Sequence, residues 1–210
     1  MNIVIIGVDP SSRKLAAVAS VLDDETDART HRMALPKNKP EACLAAYNWM
    51  RDLVDTWQRD CGPNTQVFVY VEDPVFGRGG PGSTIPQARI NGCLLAGAFD
   101  AGADVNMVNN AHVKKEVVGR GNANKEDIVH WLRQAWPAMY ETVGKDQDLA
   151  DSAMIYVYGR QVQHRVQRIK RRKAKTGRSV GGASIRRRKA KVPSKSTARK
   201  ITRRIVSRSA

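Results

Sequence analysis

Where the acidic residues stop is the feature that most limits what this chain can fold into. All 20 Asp and Glu residues lie before Arg160, where they outnumber the basic residues and leave a balance of −4. Residues 160–210 carry 20 Lys and Arg and no acid at all. A stretch of that kind cannot close a core of its own, because its repulsion is unrelieved and its apolar side chains are few. The sequence therefore divides into a slightly acidic body, 1–159, and a basic extension, 160–210, expected to be largely disordered and to bind the phosphates of a nucleic acid. Such contacts raise affinity for any nucleic acid and carry no information about sequence or shape.

Several classes are excluded at once. With 41% apolar and 27% charged residues the chain is not wholly disordered. Its longest uncharged apolar run, Ile90–Phe99, is half of the roughly 20 residues a membrane span needs. The first residues lack a basic segment, and their apolar run ends at Asp9, so no secretory signal is expected. Cys43, Cys61 and Cys93 are too few and too scattered for a disulfide framework or a zinc site, and read as thiols in a reducing cytoplasm.

Along the body, the β-branched run 2–8 predicts a strand buried on both faces. Strands are also expected over 14–22, 30–35, 66–71 and 104–108, the first two as antiparallel neighbours of the leading strand. Helices are expected over 39–60, 85–101, 111–118 and 125–136, and from 148 onward past Tyr158. In the first helix Leu44, Tyr47, Met50, Leu53, Val54 and Trp57 form the apolar stripe. Residues 73–82, with their glycines and prolines, read as a loop. This order predicts an α/β fold with a mixed five-stranded central sheet flanked by helices.

Four acids stand where chemistry could use them. Asp9 and Glu72 end apolar strands, where burial is costly unless a positive charge meets them. Asp148 and Asp151 are three apart on a helix and so share a face. If the four converge, a hard divalent cation such as Mg²⁺ is the natural remedy, and two such ions can hydrolyse a phosphodiester. Taken singly, each acid is better explained as a turn, cap or solvated surface residue. His112 and His130 read as ordinary surface or capping residues, and Trp49, Trp57, Trp131 and Trp136 as core or interface residues. Gly119-Arg120-Gly121 lacks the Gly-Lys-Ser/Thr ending of a phosphate loop, so no nucleotide cofactor is expected.

The motifs themselves resemble those of a known family. Ile6-Gly7-Val8-Asp9-Pro10-Ser11-Ser12, Val71-Glu72, Gln87-Ala88-Arg89-Ile90-Asn91-Gly92, Val113–Gly121 with Lys125, and Asp148-Leu149-Ala150-Asp151-Ser152-Ala153 resemble, in order, the motifs of the RuvC Holliday-junction resolvases. These are nucleases of RNase H-like fold. The resemblance spans roughly residues 1–159. It implies an endodeoxyribonuclease that nicks opposing strands of a four-way junction, with Asp9, Glu72, Asp148 and Asp151 as catalytic, metal-binding acids. It implies Mg²⁺, two ions per site with Mn²⁺ as a substitute, and a homodimer acting on branched DNA with no membrane partner. Asp146 lies close enough to stand in for Asp148, although the D-L-A-D register favours Asp148.

The DNA contacts that the resemblance and the charge pattern imply are Lys114, Lys125 and Arg89 in the body. Phe76 and Arg78 would act in the junction-probing loop, and Arg171, Arg172 and Lys173 in the extension. The chain departs from the family at that loop. An aromatic wedge often stands three residues beyond the second acid; here Val75 does, with Phe76 one further on. That departure implies broader cutting of branched DNA. Alternatives are a nuclease of the same fold acting on flaps or RNA–DNA hybrids, or a junction-binding protein with vestigial acids. The compact body with a basic extension looks like a bacteriophage version, at work in the cytoplasm of a bacterial host.

Overall fold

A computed structural model describes residues 2–74 and 80–175. Two compact units divide the chain, Met1–Ile169 and Lys170–Ala210. The first is built on a five-stranded sheet in the order β3-β2-β1-β4-β5. Its strands are β1 (Asn2–Pro10), β2 (Lys14–Val21), β3 (Asp24–Ala34), β4 (Thr65–Glu72) and β5 (Asp104–Val108). Between and after them come α1 (Lys39–Cys61), α2 (Gly80–Asp100), α3 (Asn110–Val117), α4 (Lys125–Ala135), α5 (Pro137–Val143) and α6 (Gln147–Lys175). The sheet is mixed, as its sequence predicts: β1 pairs antiparallel with β2 and parallel with β4, which in turn runs parallel to β5.

β1 is covered on both faces, which is why it alternates so little. Val4, Ile6 and Val8 pack with Met50, Val54 and Trp57 of α1 and Leu94 of α2. Ile5 faces the opposite cluster, with Val113, Ile128, Leu132, Met154 and Tyr156. Gly7 is what lets α6 lie on this second face. A Cβ there would stand 2.2 Å from the Tyr156 nitrogen and 2.6 Å from the Ser152 carbonyl oxygen. Backbone thus meets backbone two residues before Asp9, and α6 is drawn across the end of β1.

Four elements differ from the sequence reading. β3 begins at Asp24, well before the expected residue 30, because pairing with β2 recruits a polar stretch that has no apolar alternation. α2 begins at Gly80, inside the expected loop, and takes in Pro86 as an interior residue. α5 was not expected, and Pro137 at its first position starts it directly after Trp136. In α1 the stripe is narrower than expected, since Leu44 is 61% exposed.

Trp57 and Trp136 are buried as expected, while Trp49 and Trp131 lie at the margins of the two clusters. The three cysteines are free thiols. α6 continues as helix beyond residue 159, and in the second unit Lys170–Lys173 are exposed helical residues. Among the described residues, no helix is long and apolar enough to cross a membrane.

Candidate active site

Sheet register brings the first two acids together. Val8 of β1 is paired with Val71 of β4, so the next residues, Asp9 and Glu72, emerge side by side at the end of two parallel strands. Their carboxyl groups hydrogen-bond to each other. Burial holds the Asp9 carboxyl well above the usual carboxylate range, and the charges of Glu72, Asp151 and Asp148 push it the same way. Asp9 therefore keeps its proton to a higher pH than a solvated aspartate.

Glu72 is nearly buried, at 9% exposure, and is held from two sides. Asn110 Nδ2 donates to its Oε1 at 2.6 Å, and Asn91 Nδ2 donates to its backbone carbonyl at 2.7 Å. Asn91 lies in the α2 motif, but Asn110 escaped the sequence reading. The signal was the Asn109-Asn110 pair: Asn109 caps α3 by accepting from the His112 N–H at 3.1 Å, so Asn110 is left to reach the acid.

α6 supplies the remaining acids. Asp151, 8% exposed, is pushed up to about 6, chiefly by burial; Lys125 and Lys114 pull it down while Glu72 and Asp148 push it up. Asp148, one turn earlier, meets cations directly. Lys14 Nζ pairs with its Oδ2, and Lys125 Nζ stands 3.9 Å from its Oδ1.

Asp146 has different work. Its Oδ1 accepts from the N–H groups of Asp148 and Leu149, both at 3.1 Å, and its Oδ2 pairs with Arg32 Nη1 at 2.5 Å. It caps α6, whereas the charge of Asp148 is felt at Asp9 and Asp151.

The other residues named from sequence are spread more widely. Lys114, half-buried on α3, and Lys125, the first residue of α4, both act electrostatically on Asp151, at the acids themselves. Arg89 is exposed on α2, while Arg171, Arg172 and Lys173 are exposed in the second unit. Phe76 and Arg78 lie outside the described residues. The His112 ring packs edge-on against Tyr158 at 5.6 Å, and His130 is exposed. A cavity of about 550 Å³ beginning three residues past Asp9, not noted from the sequence, is lined by Ser12, Arg13, Lys37 and Lys39 together with Leu35, Pro36 and Pro86.

The donor set is all oxygen and carries more negative charge than its surroundings tolerate, which suits a hard divalent cation. As the side chains stand, with Asp148 engaged by lysines, no three acidic, histidine or cysteine side chains among the described residues form a ready group for a metal ion. Asp9 and Asp151 both hold their protons more tightly than solvated carboxylates do.

No protein-family model matches the chain. Among curated proteins it is 29% identical over 149 residues to the crossover junction endodeoxyribonuclease RuvC of Salinibacter ruber, covering 68% of this chain and 78% of that one. It is 29% identical over 136 residues to the RuvC of Cupriavidus metallidurans, covering 59% and 66%. Among solved structures, Thermus thermophilus RuvC in complex with Holliday junction substrate superposes with a TM-score of 0.57 at 20% identity, over 75% of this chain and 95% of the other. The yeast mitochondrial Holliday junction resolvase Ydc2 follows at 0.51 and 13%, over 82% and 83%.

Proposed function

We propose that this chain, RuvC-like in sequence and RNase H-like in fold, is a metal-dependent endodeoxyribonuclease that nicks four-way junctions and other branched DNA. One observation carries the reading. Asp9 and Glu72 share a hydrogen bond at the end of two parallel strands, and α6 sets Asp151 within reach of both their charges. Acids gathered in this way repel one another, and a phosphodiester hydrolase working through divalent cations gives them a purpose.

Asp9, Glu72, Asp148 and Asp151 would hold the metal, Mg²⁺ with Mn²⁺ as a substitute, in two positions. Bound there, the ions would supply an activated water and charge neutralisation at the leaving oxygen. The chain's own residues do the rest. Asn110 and Asn91 fix the Glu72 carboxylate and its strand end. Lys114 and Lys125 lower the proton affinity of Asp151 and offer positive charge where a DNA strand would pass. Arg13, Lys37 and Lys39 line a path for phosphates toward the strand end, and Arg89 adds to it from α2. The basic extension, with Arg171, Arg172 and Lys173, adds affinity for any DNA and leaves shape selection to the body. Such an enzyme works in the cytoplasm, where its DNA is.

The enzyme acts as a homodimer, and α2 offers the face for it. Ile85 and Phe99 are 49% and 63% exposed, with Ala88, Gly92 and Ala96 exposed between them on one stripe. Small residues flanked by large apolar ones suit close packing against a second copy of the same helix. Sedimentation of Phe99→Asp would give a monomer; an unchanged dimer places the interface elsewhere.

Nicking of labelled four-way junction, flap, duplex and RNA–DNA hybrid with Mg²⁺ tests the activity. Wild type should cut the junction best. Asp9→Asn should lose a factor on the order of 10³ or more while still binding the junction. Preferential cutting of the hybrid would move the chain to another nuclease class, and binding without cutting would make it a structural junction binder.

A further inference from the structure

We propose that Lys14 is an internal counter-ion for Asp148, whose ammonium must leave before a second divalent ion can seat. The proposal rests on reading the acids as a divalent-metal site, and concerns the order in which that site fills.

The position of Lys14 is set by the turn that ends the strand carrying Asp9. Ser11 N–H donates to the Lys14 carbonyl at 3.0 Å, and the Ser11 hydroxyl donates to the same oxygen at 2.9 Å. The Lys14 N–H in turn donates to the Ser11 hydroxyl oxygen at 3.0 Å. This double clasp fixes the start of β2 beside the end of β1, where Pro10 is paired with Leu15. The ammonium then reaches across to α6 and Asp148 Oδ2, while Lys125 faces the other oxygen. Both oxygens of this one acid look toward a cation.

The remaining acids are treated differently. Asp9, Glu72 and Asp151 face one another, and Asp151 feels Lys125 and Lys114 only through their charge. The site is thus divided before any ion arrives. Among the described residues, Asp9 and Glu72 have no cationic side chain paired with them, whereas Asp148 is already paired by the protein.

A partner that can be displaced is what such a role requires, and Lys14 is one. Its side chain is 52% exposed, so the ammonium has water to move into, and half-exposed pairs of this kind are weak. Losing it need not loosen the helix start, because Arg32 ties Asp146 to the same hairpin independently. An ion held by Asp9, Glu72 and Asp151 would meet no such competitor, whereas one that also needs Asp148 would have to displace Lys14.

Mn²⁺ binding to the full-length chain without DNA tests this, followed by calorimetry and by electron paramagnetic resonance at neutral pH. Wild type should take one tight and one weak ion. Lys14→Met should tighten the weak ion by about three- to tenfold, the effect of removing one nearby positive charge at a half-exposed site. Lys14→Arg should leave both affinities near wild type, and Asp148→Asn should lose the weak ion alone. Equal affinities in wild type and Lys14→Met, or the same tightening in Lys14→Arg as in Lys14→Met, would overturn the role of Lys14 while leaving the metal site standing. Absence of Mn²⁺ binding in every variant would overturn the metal site itself, and the proposal with it.

Discussion

Asp9 and Asp148 lie in one site, yet they meet opposite surroundings. Asp9 ends a strand buried on both faces and has Glu72 as its hydrogen-bond partner, with burial and three acids raising its proton affinity. Asp148 begins a helix at the rim and has a lysine at each of its oxygens. The difference follows from where each acid is attached. A residue placed by sheet register takes whatever lies across the ladder, even another acid. One at a helix start faces the turns and hairpins around it, where long cationic side chains can reach. The site therefore has a costly half, which a bound cation relieves, and a rim that the protein has already balanced.

The sharpest way to break the comparison is to part the two halves. Gly7→Ala puts a methyl group into the backbone of α6 at Tyr156. It should cost about 3 kcal/mol or more, since neither backbone can give way. The melting temperature should fall by about 10 °C, and nicking should be lost as Asp151 moves away from Asp9. An unperturbed melting curve would show that the close approach of α6 does not assemble the site.

Stability against pH sharpens it. The folded Asp151 carboxyl is raised from 3.8 to about 6. Its contribution to stability is therefore fully present below pH 3.8 and is lost as pH rises through about 6. At pH 7 this amounts to a penalty of up to about 3 kcal/mol, and Asp9 acts in the same direction. Without metal, the melting temperature of Asp151→Asn or Asp9→Asn relative to wild type should thus rise between pH 4 and pH 7. Mn²⁺ should stabilise wild type at pH 7 and have no effect at pH 4. Parallel profiles for variants and wild type would mean that the acids are not in conflict.

The smallest effect belongs to the rim. Asp146→Ala removes two hydrogen bonds from the start of α6. It should cost about 1 kcal/mol, as lost helix caps do, with Mg²⁺-dependent nicking retained. Loss of nicking with the stability unchanged would make Asp146 a ligand in place of Asp148.

Much of this could be read along the chain. The apolar β-branched runs before Asp9 and Glu72 gave the central strands and put an acid at the end of each, because burial on both faces demands such runs. The three-residue spacing of Asp148 and Asp151 put them on one helical face. The length of β3 was hidden, because its polar residues are held by pairing with β2 and not by a core. α5 was hidden behind Trp136-Pro137, where a proline that could end one helix begins another.

The sequence alone determined that a slightly acidic α/β body is followed by a stretch with no acid, and that two acids end buried strands, because charge balance and strand burial are written in local composition. Only the tertiary structure decided which acids meet a cation and which meet one another. Lys14 and Asp148 are far apart in the chain, as are Asn110 and Glu72. Such pairs arise from strand register and from the docking of α6 on Gly7, neither of which leaves a periodic trace in the residues that come together.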